Sequence, residues 1–328
     1  MMRAEHRKAL ELSEDFLRAF QQSEDPGQLI TVHFCMAESA YWMGSFQTAR
    51  RHCEMAVPLL NISQPRFFMS GTYREVQVLL VRANILWMLG YPDLCLRQGL
   101  EVVALARQLD HPFTLAVALG RGLCKSHRLR REPEKGLKYA EEMMRCAAEG
   151  KFPAAYGWAM LEMGWSRAMQ GEAKEGIAQM QEGLATWRSA GTENGTPLFL
   201  LMLAEGYAMA RKPEKGLSLM EEALSFAQRT EERNFDAGLY RAKGQLLQMS
   251  GKLSKAEACF RHAIEVARGQ EAKSWELQAA VRLSRLLQEQ GRSAEARPLL
   301  SGIYDWFTEG FDTPDLREAK ALLDELGE

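Results

Sequence analysis

Apolar residues recur along most of the chain at the three- and four-residue spacing of amphipathic helices, in runs broken by short polar turns. The breaks are themselves periodic. "EPEKGLKYAEE" (132–142) and "KPEKGLSLMEE" (212–222) repeat one phrase 80 residues apart. Shifting the chain against itself by 40 residues explains the echo. Gly171, Gly251 and Gly291 stand on a 40-residue comb, with Arg131 and Arg211 on the remaining teeth. Five residues after each tooth comes a small residue: Gly136, Gly176, Gly216, Ala256, Ala296. Seven residues before it comes another: Cys124, Gly164, Ala204, Gly244, Ser284. Two earlier units fit with longer spacers, around Gly90 (with Ala83 and Cys95) and Gly44 (with Ala37 and Ala49).

The pattern predicts seven helix–turn–helix units over residues 29–310. Small residues belong where two helices touch closely. Glycine ends the first helix in the left-handed conformation. Pro92, Pro133 and Pro213 start the second, followed by Asp93, Glu134 and Glu214 at the positive end of the helix dipole. Residues 3–22 and 313–326 predict capping helices, the latter with Thr313 as N-cap and Pro314 in the first turn. The expectation is one all-α domain over 1–328, with 16 helices and no strands.

Composition agrees. The 328 residues are 46% hydrophobic and 26% charged, rich in helix formers, with a net charge of −2. That balance gives no reason to expect nucleic acid or a membrane surface as partner. No apolar run of membrane-spanning length occurs, and the charged start "MMRAEHRKALELSEDF" has no secretory h-region, so the expected location is cytoplasmic. Cys35, Cys53, Cys95, Cys124, Cys146 and Cys259 form no C-x-x-C pair and are expected to be reduced packing residues.

Within a unit, the order of small, glycine, small, bulky and small positions resembles the tetratricopeptide pattern. Gly244, Leu247, Gly251, Ala256, Phe260 and Ala263 show it in unit six, and Gly164, Gly171, Gly176, Met180 and Gly183 in unit four. The period is 40 residues where the tetratricopeptide repeat has about 34. The resemblance implies a right-handed α-solenoid. "LWMLGYPDLCL" (86–96), "LARQLDHPFTLAVAL" (105–119), "EGIAQMQEGLATWRSAG" (175–191), "AKSWELQAAVRLSRLLQEQGR" (272–292) and "YDWFTEGFDTPDLREAKALLDEL" (304–326) resemble a narrower group. It is the C-terminal tetratricopeptide region of bacterial multidomain proteins that carry a class III adenylate/guanylate cyclase or transcriptional-regulator domain and a predicted signalling ATPase. This resemblance implies a sensor or scaffold arm in signal transduction, without the catalytic part. The segment 61–73 is shorter than the family's connection there.

Residue chemistry offers no enzyme. G-x-x-x-x-G-K-[ST], G-x-S-x-G and H-E-x-x-H do not occur. Cys124 and His127 lie three apart on one helix but have no second pair to complete a metal site. Glu141–Glu142 and Glu221–Glu222 are adjacent on helices and point apart. Neither a cofactor nor a metal is expected.

The remaining candidate is a binding surface on the first helices of the units. Tetratricopeptide usage places Arg121, Lys125 and Arg128 of unit three on the concave face, four and three apart on one stripe. It adds Trp158, Leu161 and Trp165 of unit four, Leu201 and Glu205 of unit five, Arg241 and Gln245 of unit six and Arg285 of unit seven. A basic stripe beside two tryptophans suits an acidic, partly apolar peptide or protein segment. The competing reading has the tryptophans packed between units and the arginines merely solvated. A small-molecule or nucleotide sensor in the same groove is the alternative function. Asn84 matches one position of the carboxylate clamp of some such repeats, but Arg82 and Leu80 do not continue it. Met169, Met209 and Met249, at intervals of 40, read first as filler between units and second as adaptable groove lining.

Overall fold

The computed structural model describes residues 5–20, 25–60, 68–69 and 71–327. Seven units each pack two helices across a short turn. Unit one pairs Pro26–Trp42 with Phe46–Leu60, and unit two Arg74–Met88 with Pro92–Gln108. Unit three pairs residues 112–129 with Pro133–Glu149, and unit four Pro153–Met169 with Ala173–Ser189. Units five and six pair Thr196–Met209 with Pro213–Thr230 and Asp236–Met249 with Leu253–Gly269. Unit seven pairs Lys273–Glu289 with Ser293–Tyr304. Helices His6–Phe20 and Pro314–Glu325 flank the array, so the described residues form 16 helices if 112–129 counts as one. Expected helical positions 3–4 and 21–22 lie outside the described residues. One feature departs from the all-helical expectation: Phe68–Met69 pairs antiparallel with Thr72–Tyr73, a two-residue ladder in the spacer between units one and two.

The comb is a row of left-handed residues. Gly44, Gly90, Gly171, Gly251 and Gly291 have φ between +73° and +101°, and Arg131 and Arg211 adopt +57° and +54° on their teeth. The residue after each tooth donates its N–H back across the turn, as Glu132 does to His127 O at 2.8 Å and Lys252 to Leu247 O at 2.9 Å. This is the Schellman bond that satisfies an orphaned carbonyl at a helix end. A second comb stands between units, at Asp110, Lys151, Gly191, Glu231 and Glu271, all at positive φ.

Small residues mark close approach. A Cβ on Gly164 would lie 2.6 Å from Gly176 O, and one on Gly157 2.7 Å from Gly183 O, so the helices of unit four meet backbone to backbone at two levels. In unit six the fully buried Phe260 ring covers Gly244 instead. Unit three carries one extra residue: Pro112 to Pro153 is 41 positions. A π-helical segment, Leu119–Cys124, absorbs it inside the helix. The π segment packs on unit two, where Gly99 faces Gly122 O.

The array closes on itself. Arg233 and Asn234, at the junction of units five and six, donate their N–H groups to Trp42 O of unit one at 2.8 and 3.1 Å. Ser274 of unit seven donates to Trp87 O of unit two, and the Trp87 and Trp275 rings meet edge to face at 4.9 Å. Glu309 accepts from Asp93 N and Leu94 N at 2.8 and 3.0 Å, capping the second helix of unit two from the far end of the chain. One buried apolar cluster consequently runs from Ile30 to Leu322.

Candidate functional site

The first helices of units three to seven face the interior of this closed superhelix. Positions 40 apart stack into ladders there: Leu161, Leu201, Arg241 and Val281 form one, and Trp165, Glu205 and Gln245 the next. Part of these ladders lines a cleft of about 190 Å³, with Arg128 and Arg131 on one side and Trp275, Gln278 and Arg282 on another. The C-terminal helix closes one end with Asp315 and Glu318. Met209, 49% exposed, stands at the mouth.

Of the residues singled out from sequence, Arg128, Trp165, Leu201, Glu205, Arg241 and Gln245 line this cleft together. Their charges are paired within the chain. Trp165 Nε1 and Arg241 Nη2 donate to the two oxygens of Glu205 at 2.8 and 2.7 Å. Arg241 Nη1 lies 3.4 Å from Gln245 Oε1. Arg128 is 3.3 Å from Glu162, whose other oxygen accepts from Trp158 Nε1 at 3.1 Å. Arg131 bridges Asp315 and Glu318 at 3.1 and 2.8 Å, and Arg282 lies 3.7 Å from Glu318.

The other expected residues sit elsewhere. Leu161 is fully buried core, and Trp158 is half-buried against Trp187. Arg121, within the π segment, pairs with Glu38 of unit one at 2.9 Å. Burial pushes the Glu38 carboxyl up, but the Arg121 guanidinium and the Trp42 N–H hold it below its ordinary value. Lys125 is buried between the Tyr41 and Phe235 rings, 4.9 and 5.2 Å from their centroids, and donates to the Tyr41 hydroxyl. Burial, then the Arg121 and Arg128 charges, push its pKa well down. The expected solvated basic stripe is therefore an internal one: Lys125 and Arg128 are both 5% exposed. Arg285 lies outside the cleft and pairs with Glu325 at 2.6 Å.

Other readings resolve locally. His127 bonds Glu132 at 2.7 Å and stacks on Tyr139, while Cys124 packs with Ala140 and Met163. Among the described residues no group of three or more His, Cys, Asp or Glu side chains is placed to hold a metal ion, and no helix is long and apolar enough to cross a membrane. Asn84 spends its amide on Leu80 O and Arg121 O. The methionine ladder is not buried filler: Met249 is 40% exposed, and Met169 and Met209 line the cleft. Sequence reasoning missed Trp275, Gln278, Arg282, Asp315 and Glu318 as cleft residues. Gln278 was within reach, since it stands three periods, 120 residues, after Trp158. The cap-helix carboxylates were not, because nothing periodic leads to them.

These features define a tetratricopeptide-like helical superhelix with an internal, charge-paired cleft. No family model matches the chain, and no curated protein sequence matches it. Solved structures do. A Rap protein complexed with competence and sporulation factor is 12% identical with a TM-score of 0.66, over 95% of this chain and 81% of that one. NprR in complex with its cognate peptide NprX is 15% identical with a TM-score of 0.56, over 93% and 83%. A signal transduction ATPase with a tetratricopeptide repeat sensor from Pyrococcus horikoshii is 13% identical with a TM-score of 0.52. That match covers 97% of this chain and 49% of the ATPase, so the chain spans about half its length. At these identities the likeness shows the fold.

Proposed function

We propose that this chain is a non-catalytic binding arm of a bacterial signalling system, taking a short peptide on the inner wall of its superhelix. The carrying observation is the cleft itself, where the register ladders of units four to seven meet the C-terminal helix. One solved structure of like fold is described as a complex with a cognate peptide, NprR with NprX, and another, Rap, as a complex with competence and sporulation factor; the first supports a peptide as ligand. The tetratricopeptide sensor of the Pyrococcus ATPase supports a role as the sensing part of a larger assembly, in line with the resemblance to cyclase–ATPase proteins. The cleft admits a side chain or chain terminus, and a longer segment enters by parting the seam between unit one and the 233–234 junction. Binding of such a longer segment then shifts the array from closed to open, because its length meets the inner wall only in the open form.

The test is fluorescence polarisation of labelled acidic peptides against the full chain and against Met209→Glu. Met209 is half-exposed at the mouth, so the change leaves the fold intact while setting a carboxylate against an acidic ligand. Saturable binding weakened by Met209→Glu supports the reading. Binding that the variant leaves unchanged, or no binding by any peptide, refutes it. The size of the cleft favours a second reading, a small-molecule sensor. A ligand at 100 times its dissociation constant would stabilise the chain by about 2.7 kcal/mol, read as a rise in Tm.

A further inference from the structure

The two ends of the array are capped unequally. The C-terminal helix Pro314–Glu325 sinks Leu316, Ala319 and Leu322 into the core. The N-terminal helix His6–Phe20 turns His6, Leu10, Ser13 and Leu17 inward, at spacings of four, three and four. Leu10 and Leu17 are only half-buried, and the two fully buried side chains of this stripe, His6 and Ser13, are polar. Ser13 Oγ spends its bond on Ala9 O of its own helix. These four positions therefore bury little apolar surface. Burial of the His6 imidazole works against docking: it pulls the pKa down against the opposing Glu38 charge, and Nε2 has no hydrogen-bond partner.

What the first turn of this helix touches is the seam. His6 stacks on the Trp42 ring, with centroids 5.4 Å apart and planes 17° from parallel. Trp42 O is the acceptor of the Arg233 and Asn234 N–H groups, so His6 lies on the unit-one side of that junction. The next residue crosses to the other side. Arg7 Nε and Nη2 donate to the two oxygens of Glu231 at 2.6 and 2.7 Å, across 224 positions of sequence. This is an edge-on, bidentate pair, and it holds the Glu231 carboxyl below its ordinary value. The pair is open to water, with the Arg7 side chain 62% exposed, so it is a modest contact that salt and charge changes can reach. A helix so thinly anchored along its inward stripe, whose first turn binds both sides of a seam, docks fully only when the two sides are together.

We propose that the N-terminal helix is a releasable clasp across the seam between unit one and the 231–235 junction, with His6 as its anchor on unit one and Arg7 as its hook on Glu231. Docking of the helix and closure of the seam then favour each other to the same degree. The clasp does not depend on what the inner wall binds, and its test uses no ligand.

The experiment is hydrogen exchange of the full chain, read by mass spectrometry on peptides spanning 229–238, whose Arg233 and Asn234 amides bond across the seam. Arg7→Glu and Glu231→Arg each set like charges against each other, and each should speed exchange there about threefold. The double variant, Arg7→Glu with Glu231→Arg, remakes the pair in reverse and should restore protection. Arginine suits the left-handed backbone of position 231, as Arg131 and Arg211 show on the first comb. Lys8→Glu makes the same change of charge one position on and should leave the seam as it is. High salt should shrink the effect of the single variants. Arg7→Gln removes the pair without repulsion and carries the test if a charge reversal melts early. Seam exchange unchanged in Arg7→Glu and Arg7→Gln, faster exchange confined to residues 6–20 or spread through every unit, an equal effect of Lys8→Glu, or no recovery in the double variant overturns the proposal.

Discussion

Gly164→Ala is the sharpest test of how the units are built. The added Cβ would lie 2.6 Å from Gly176 O and 2.9 Å from Met180 N, where ordinary contact begins at 3.4 Å. The deficit against Gly176 O is 3.4 − 2.6 = 0.8 Å, and the obstacle is backbone, which cannot rotate away. The second helix of unit four must therefore move as a body. It is held at another level, where Gly157 and Gly183 are equally close, so tilting about one contact compresses the other. Overpacking of this kind costs about 1–3 kcal/mol. The helix-propensity gain from glycine to alanine returns up to about 1 kcal/mol. The net expectation is a loss of about 1–2 kcal/mol in urea denaturation, with faster amide exchange centred on unit four. Gly302→Ala is the control: Gly302 sits in a helix with nothing within 4 Å of its would-be Cβ, so the propensity gain stands alone. If Gly164→Ala were as stable as Gly302→Ala, the close backbone contact would not exist as described.

Three further changes probe other parts of the argument. Arg211 is exposed and left-handed at φ +54°, so Arg211→Gly should raise stability by about 0.5–1 kcal/mol in the same denaturation, where a surface arginine in an ordinary turn would lose stability. Glu205→Ala removes the carboxylate that receives both Trp165 and the 7%-exposed Arg241, and should cost about 2–3 kcal/mol, short of a fully buried pair because Glu205 itself is 23% exposed; a loss below 0.5 kcal/mol would show the bridge to be incidental. Burial, opposed by the Gly195 N–H, pushes Glu232 from 4.5 up to about 8, so between those values the folded chain holds a proton that the unfolded chain releases. Stability attributable to Glu232 is therefore greatest in acid and falls as pH rises through that window; Glu232→Gln should flatten the slope, and an identical slope in both proteins would refute the assignment.

The units and the C-terminal cap were legible because glycine and proline report backbone conformation directly, and the N-terminal helix because its apolar residues keep helical spacing. Thr313 accepts from Leu316 N and Pro314 opens the helix, as their order implies. The second comb was not legible, since Asp110, Lys151, Glu231 and Glu271 take positive φ without the glycine that would announce it. The π segment leaves only a count of 41 where 40 was due, and its placement depends on Gly99 meeting Gly122. The spacing of Arg121, Lys125 and Arg128 put them on one helix stripe and the tetratricopeptide resemblance turned that stripe inward, but neither says what stands opposite. Glu38, Tyr41 and Glu162 stand there, and the first two come from another unit more than 80 positions away.

That distance bears on how the molecule works. In an open solenoid each unit touches only its neighbours, and stability is a sum of local terms. Here Trp42 meets Arg233 and Asn234, Trp87 meets Ser274 and Trp275, and Asp93 meets Glu309 and Gly310. The first of these contacts is a pair of backbone hydrogen bonds, each worth about 0.5–1.5 kcal/mol net, against the extensive apolar packing within each unit. This is the seam where unit one meets the 233–234 junction. It is also where Lys125 lies, buried between a ring from unit one and a ring from the 231–235 junction, with burial disfavouring its charge. Parting the seam returns water to Lys125 and relieves that penalty, so the closed form is held by the seam's hydrogen bonds and ring contacts against a buried amine that gains by exposure. On the proposed reading of the inner wall as a ligand site, that site and the seam are joined through the backbone of units three to six, and its occupant would act on the balance between closed and open.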